Sequence, residues 1–205
     1  MKILSKAFLK AIGWTLDDNA PDEIFEKCVL ICAPHTSNWD YPLAVAMMDI
    51  LGIKARYALK KELMVFPQSV IFKTLGGISI DRSPRKEGEE RPSTVQVIAD
   101  LFDKHDKLCL LIASEGSRSL REEWKTGFYY IALKAKVPIC LGYLNYETKS
   151  GGFGNIFYPS GDLQSDMEKI MLFYEDKVGK KPEKFCLDKR FYKGPEQTIT
   201  KEKNQ

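Results

Sequence analysis

No stretch of this 205-residue sequence approaches the roughly twenty consecutive apolar residues that a helix needs to cross a bilayer, so the chain is not expected to span a membrane. Charge of one sign is also scarce. The formal net charge is +3, with no concentrated basic face interleaved with aromatics, and nucleic acid is not expected as a partner. Cysteine is sparse and odd in number: Cys28, Cys32, Cys109, Cys140 and Cys186 lie scattered through apolar runs, which excludes the look of a secreted disulfide framework and favours a reducing, cytoplasmic compartment. Met1 to Leu16 contains lysines but no apolar stretch ending in a small-residue cleavage site, so it is not read as a signal peptide and is expected to be retained. Histidine occurs only twice, no cluster suggests a metal site, and Ser150 to Gly154 (SGGFG) matches neither phosphate-loop pattern and reads as a turn.

What is present is an alternation of short apolar β-prone runs with helix-like stretches, the pattern of an α/β single domain with a mainly parallel sheet flanked by helices. Strands are expected at Val29 to Ala33, Ala55 to Leu59, Ile78 to Asp81, Leu108 to Ala113, Ile139 to Tyr146 and Ile156 to Tyr158. Helices are expected at Asp40 to Leu51, Pro67 to Leu75, Thr94 to Phe102, Phe128 to Ala135 and Leu163 to Lys177. Ser83 to Pro92 is polar, densely charged and flanked by prolines, as in a mobile surface loop. The organisation is therefore an N-terminal amphipathic helix over 1–16, one domain over 17–192 and a frayed tail over 193–205. On a helix turning about 100° per residue, Met1, Leu4, Phe8, Ala11 and Ile12 gather on one side, and Lys2, Lys6 and Lys10 on the other, with Ile3 and Leu9 off the pattern. Such a face packs on the domain or lies on anionic lipid, and the two are not exclusive.

His105 sits among charges at a helix end and reads as a solvated connector. His35 instead directly follows a strand, in Pro34-His35-Thr36-Ser37-Asn38-Trp39-Asp40, and the loops at the carboxyl ends of parallel strands are where open α/β sheets place ligands. On one unbroken helix His35 and Asp40 would stand about 140° apart, so a turn must intervene. With Ser37 or Asn38 as N-cap and a helix beginning near Trp39, Asp40 can reach back to the imidazole as the orienting acid of a catalytic base. The same spacing also fits an ordinary acid in a first helical turn, where the macrodipole favours it. Two further clusters end strands: Ser114-Glu115-Gly116-Ser117-Arg118-Ser119 and Gly76-Gly77-Ile78-Ser79-Ile80-Asp81-Arg82. Each alone is compatible with a polar turn. A parallel sheet, however, would bring a base, a glutamate and two guanidinium groups to one edge, and guanidinium forks suit phosphate.

In order along the chain, these blocks resemble those of the glycerolipid acyltransferases, whose best-known members are the lysophosphatidate acyltransferases. His35-Thr36-Ser37-Asn38-Trp39-Asp40 is similar to the family's His-x-x-x-x-Asp (HX4D) block, Gly76 to Arg82 to its glycine-to-arginine block, and Glu115-Gly116-Ser117-Arg118 to its Glu-Gly-Thr-Arg block. Lys125-Thr126-Gly127 and Val137-Pro138-Ile139 fall where the family has a Lys-x-Gly turn and a Val-Pro-Ile strand entry, so the resemblance spans residues 35 to 139. It departs at Ser114, where proline is frequent, and at Ser117, where threonine is usual; the second change keeps the hydroxyl.

The resemblance implies a catalytic pair, His35 as general base and Asp40 as its support, with Arg82, Glu115, Gly116, Ser117 and Arg118 binding the acceptor. The implied reaction moves a fatty acyl group from an acyl thioester, acyl-CoA or acyl carrier protein, to a lysophospholipid hydroxyl, most simply lysophosphatidate to phosphatidate in phospholipid biosynthesis. No cofactor beyond that co-substrate and no covalent acyl-enzyme is implied. The implied location is peripheral, on the inner face of the membrane, through the N-terminal helix. An amino-acid-based lysolipid as acceptor, a thioesterase using water, and a lipid-binding module without catalysis are the competing readings.

Overall fold

The computed structural model describes residues 2–60, 67, 70, 74, 76–80 and 93–194. A seven-stranded sheet forms the centre, in the order β1-β7-β6-β2-β5-β3-β4. The strands are β1 Thr15–Leu16, β2 Lys27–Ala33, β3 Ala55–Lys60, β4 Gly77–Ile80, β5 Leu108–Ile112, β6 Ile139–Asn145 and β7 Ser150–Phe157. Every neighbouring pair is parallel except β6 and β7, an antiparallel hairpin. The helices are α1 Lys2–Ala11, α2 Asp40–Leu51, α3 Thr94–Lys104, α4 Gly127–Ala135 and α5 Leu163–Tyr174. Among the described residues no helix is long and apolar enough to cross a membrane.

β2 is apolar at almost every position because it is central and covered on both faces, as interior parallel strands are. Its side chains alternate. Val29, Ile31 and Ala33 join one core with Ile98 and Phe102 of α3, Phe128 and Ile131 of α4, and Met167 and Tyr174 of α5. Cys28 and Leu30 face the other way, with Cys109, Cys140 and Phe153. The cysteines are free, and four of them serve as small apolar side chains on that second face or along the cavity described below. On that side α2 covers the sheet and α1 packs on α2 through Leu9 against Leu43, Ala46 and Met47.

Three expectations change. Ser150 to Gly154 is not a turn but the start of β7, which runs from Ser150 rather than from Ile156. Its glycines are there for contact: a Cβ on Gly152 would lie 2.8 Å from the Asp17 carbonyl oxygen, and one on Gly154 would overlap the Phe173 ring. Second, α1 buries Leu9, which is off the apolar pattern, and leaves Ile3 and Leu4 84% and 75% exposed. Ser5 fixes that rotation by donating to Asp49 Oδ2 on α2 at 2.6 Å. Third, α2 takes no side-chain N-cap from Ser37 or Asn38; it starts at Asp40, with Trp39 at the cap position. The helix expected over Pro67 to Leu75 lies largely outside the described residues. The loop Ser83 to Pro92, Asp81, Arg82 and the tail beyond Gly194 lie wholly outside them.

Candidate active site

The site is built at the carboxyl edge of two neighbouring parallel strands, where β2 runs out into Pro34 and His35 and β5 into Ser114 to Arg118. The turn after β2 is closed by a carboxylate. Asp40, in the first turn of α2, accepts N–H bonds from Thr36 and Ser37 at Oδ2, each 2.9 Å, and the same oxygen lies 3.1 Å from His35 Nδ1. Its other oxygen accepts the Tyr146 hydroxyl at 2.8 Å. Burial opposes ionisation of Asp40 and is the largest single influence, but the bonds from His35, Ser37 and Tyr146 together outweigh it, so the carboxyl is held below its ordinary range.

An ionised carboxylate only accepts, so His35 Nδ1 carries the proton in this pair. At the other ring nitrogen, Arg118 Nε donates to Nε2 at 3.3 Å, and a guanidinium only donates. Nε2 is therefore the accepting, unprotonated nitrogen of a neutral imidazole, the form a general base requires. Arg118 is exposed and also bonds Asn38 Oδ1 through NH1.

Beneath the ring, Glu115 Oε1 accepts the backbone N–H of His35 at 2.7 Å. Glu115 is buried with few donors, and burial pushes its carboxyl up to about 7, against the opposing pull of the His35 N–H. Gly116 has a φ of 71°, and a Cβ there would lie 2.6 Å from Lys125 Cε, whose stem lies across it. Ser117 is turned into its own loop, accepting from Ser119 N–H and Arg121 Nε. The loop is braced from behind: buried Asp188 accepts the Trp124 N–H at 2.7 Å and pairs with Arg190, which donates to the Trp124 carbonyl. The Ser114 hydroxyl is buried without a partner among the described residues.

His35, Asp40 and Arg118 also line a cavity of about 210 Å³. Apart from the phenols Tyr41 and Tyr143, the rest of its lining is apolar or thiol, including Cys32, Ala44, Met47, Met48, Leu111 and Phe153. It follows α2 from Asp40 to Met48, about 12 Å at 1.5 Å per residue. Burial pushes the Cys32 thiol up to about 12, so it is no thiolate nucleophile. Among the described residues no group of His, Cys, Asp and Glu has the arrangement of a metal site.

The structure thus brings His35, Asp40, Glu115, Gly116 and Arg118 together, turns Ser117 aside, and leaves Arg82 outside the described residues. Sequence reasoning missed Tyr146 and Asp188, which reach their partners from 106 and 64 residues away. Asn38, expected as a candidate N-cap of α2, instead accepts from Arg118.

A neutral imidazole backed by a carboxylate, at the sheet's carboxyl edge and at the head of an apolar cavity, is equipped to deprotonate a hydroxyl beside a bound hydrocarbon. The sequence model of the Acyltransferase family matches residues 14–140, well over half of the chain, and the protein belongs to that family. A solved structure similar in fold is the 1-acyl-sn-glycerophosphate (LPA) acyltransferase PlsC from Thermotoga maritima. It is 15% identical, with a TM-score of 0.51, and the match covers 86% of this chain and 75% of that one. None of the curated proteins compared matches the chain.

Proposed function

We propose that this acyltransferase moves an acyl group from an acyl thioester, carried by coenzyme A or acyl carrier protein, to the free hydroxyl of a lysophospholipid, with lysophosphatidate as acceptor and phosphatidate as product. The observation that carries the reading is His35, whose Nε2 accepts from a guanidinium and which lines a mainly apolar cavity. In this reading the acyl chain lies along α2 and puts its thioester carbon beside His35. Arg118, with Arg82, holds the acceptor phosphate and so fixes the hydroxyl for attack. Nε2 takes the hydroxyl proton as the oxygen attacks the carbonyl carbon. Asp40 stabilises the imidazolium, the C–S bond breaks, and the thiolate leaves with the proton returned by His35. Glu115 holds the His35 backbone in place.

The reading places the enzyme on the inner face of the membrane. The outward Ile3 and Leu4 of α1, beside Lys6 and Lys10, support lipid contact there. Deleting residues 1 to 12 is expected to weaken binding to anionic vesicles, and unchanged binding would remove α1 from that role. The reaction itself is tested by thiol release from an acyl thioester, with and without lysophosphatidate, in the wild type and His35→Ala. Release that needs both the lysolipid and His35 is expected. Release regardless of acceptor would make the protein a thioesterase, and release only with an amino-acid-based lysolipid would change the acceptor.

A further inference from the structure

A transferase that activates a hydroxyl by general base catalysis must not activate water while its thioester waits, and the ring nitrogen that does the work here is already occupied. An imidazole Nε2 has one lone pair, so it accepts from Arg118 or from a substrate hydroxyl, never from both at once. Arg118 Nε sits on that lone pair at 3.3 Å, and its NH1 is tied to Asn38 Oδ1. Asn38 stands in the His35-to-Asp40 turn and Arg118 in the loop after β5, so the tie crosses from one strand end to its neighbour. Among the described residues no carboxylate neutralises Arg118, whose partners are two neutral acceptors.

From this geometry we infer that Arg118, latched by Asn38, is a specificity determinant that covers His35 Nε2 until an anionic acceptor draws the guanidinium away, so that the base opens to a lipid hydroxyl and stays closed to water. The energetic ordering supports the exchange. A guanidinium–phosphate pair is bidentate and charge-assisted on both sides, whereas the imidazole and amide contacts are single bonds to neutral acceptors. The anionic group of the acceptor therefore displaces the contact that water cannot displace. Asn38 is a positioning residue in this scheme, because it acts through Arg118. The inference rests on the reading of the site as an acyltransferase with a phosphate-bearing acceptor.

The side reaction being suppressed is hydrolysis: His35 takes a proton from water as its oxygen attacks the thioester carbon, the C–S bond breaks, and the thiolate receives that proton, leaving a fatty acid and a free thiol. The test measures this acceptor-free release for palmitoyl-CoA in the wild type, Asn38→Ala and Arg118→Ala, each also combined with His35→Ala. Asn38 and Arg118 are both exposed, so neither substitution opens the core. Both single variants are expected to hydrolyse roughly five to ten times faster than the wild type, the scale of one lost hydrogen bond. His35→Ala is expected to abolish the gain. Asn38→Ala keeps its guanidinium and is expected to retain transfer to lysophosphatidate, whereas Arg118→Ala loses acceptor dependence. A merely structural role predicts lower rates throughout, not a gain. Hydrolysis at or below the wild-type rate in both variants would overturn the latch. A wild type that transfers to no lysophospholipid would instead overturn the proposed function, and the acceptor-free rates would still be read.

Discussion

Asp40 and Glu115 hold the same histidine from two sides and are equally hidden, 4% and 3% exposed, yet burial leaves them in opposite states. Asp40 is surrounded by four donors: the His35 ring, two backbone N–H groups and the Tyr146 hydroxyl. Among the described residues Glu115 has one, the His35 N–H. The first carboxyl is held below its ordinary range and the second is pushed up to about 7. Burial raises both carboxyls; at Asp40 the donors outweigh it, whereas at Glu115 the His35 N–H does not and the charge of Asp40 adds to the rise. The division suits a base: a fixed negative charge stands behind the ring, where an imidazolium will form, and a group near neutrality holds the main chain.

The largest effect should come from removing what the two share. His35→Ala is expected to lower acceptor-dependent transfer by about 10³-fold, within the range a positioned base contributes, and circular dichroism should stay native because the ring is partly exposed. Next comes the carboxylate behind the ring. Asp40→Asn replaces an acceptor by an amide that can donate to Nδ1 and leave the proton on Nε2, so a loss of about 10²-fold is expected. Glu115→Gln keeps an oxygen for the His35 N–H and should cost only a few-fold. Equal losses at the two positions would break the comparison.

The sequence carries one side of this comparison better than the other. The turn from His35 to Asp40 is local, and α2 spans Asp40–Leu51 as expected, with Gly52 in the left-handed region at its C-terminus. Glu115 is legible as a strand-end cluster because β2 and β5 are parallel neighbours. Tyr146 was not legible, since nothing near it announces that the chain returns to Asp40 through the β6–β7 turn. β7 was misread for a related reason. Glycine's turn preference is a local signal, whereas here Asp17 and Phe173 demand glycine from distant parts of the chain. The rotation of α1 likewise depends on the Ser5 bond to Asp49, a polar contact invisible to apolar periodicity.

The two carboxyls should also separate by pH. Glu115 has a folded value raised from 4.5 to about 7, so the folded state binds the extra proton between those limits. Its contribution to stability is complete below about pH 4.5 and is lost as pH rises through about 7, on the order of 1–3 kcal/mol. Asp40 works the other way: its contribution is present above its ordinary value of 3.8 and is lost as pH falls through its lower folded value. Urea unfolding at pH 5 and pH 7.5 should show the wild type losing stability towards the higher pH, and Glu115→Gln should flatten that fall. A slope unchanged in the variant would assign it to another group.

The smallest effect tests the donor count itself. Tyr146→Phe removes one of the four donors to Asp40 and leaves the ring in its edge-on contact with Trp14, at 4.8 Å between centroids. One lost hydrogen bond to a charged group predicts about 1.5–3 kcal/mol of stability, with transfer falling a few-fold because Oδ2 keeps its bonds to His35, Thr36 and Ser37. The acid limb of the unfolding profile should move to higher pH, since a carboxylate with fewer donors is easier to protonate. If Tyr146→Phe instead costs as much transfer as Asp40→Asn, a single distant hydroxyl sets the charge behind the ring. The contrast with Glu115 would then rest on one bond rather than on the accumulation of four.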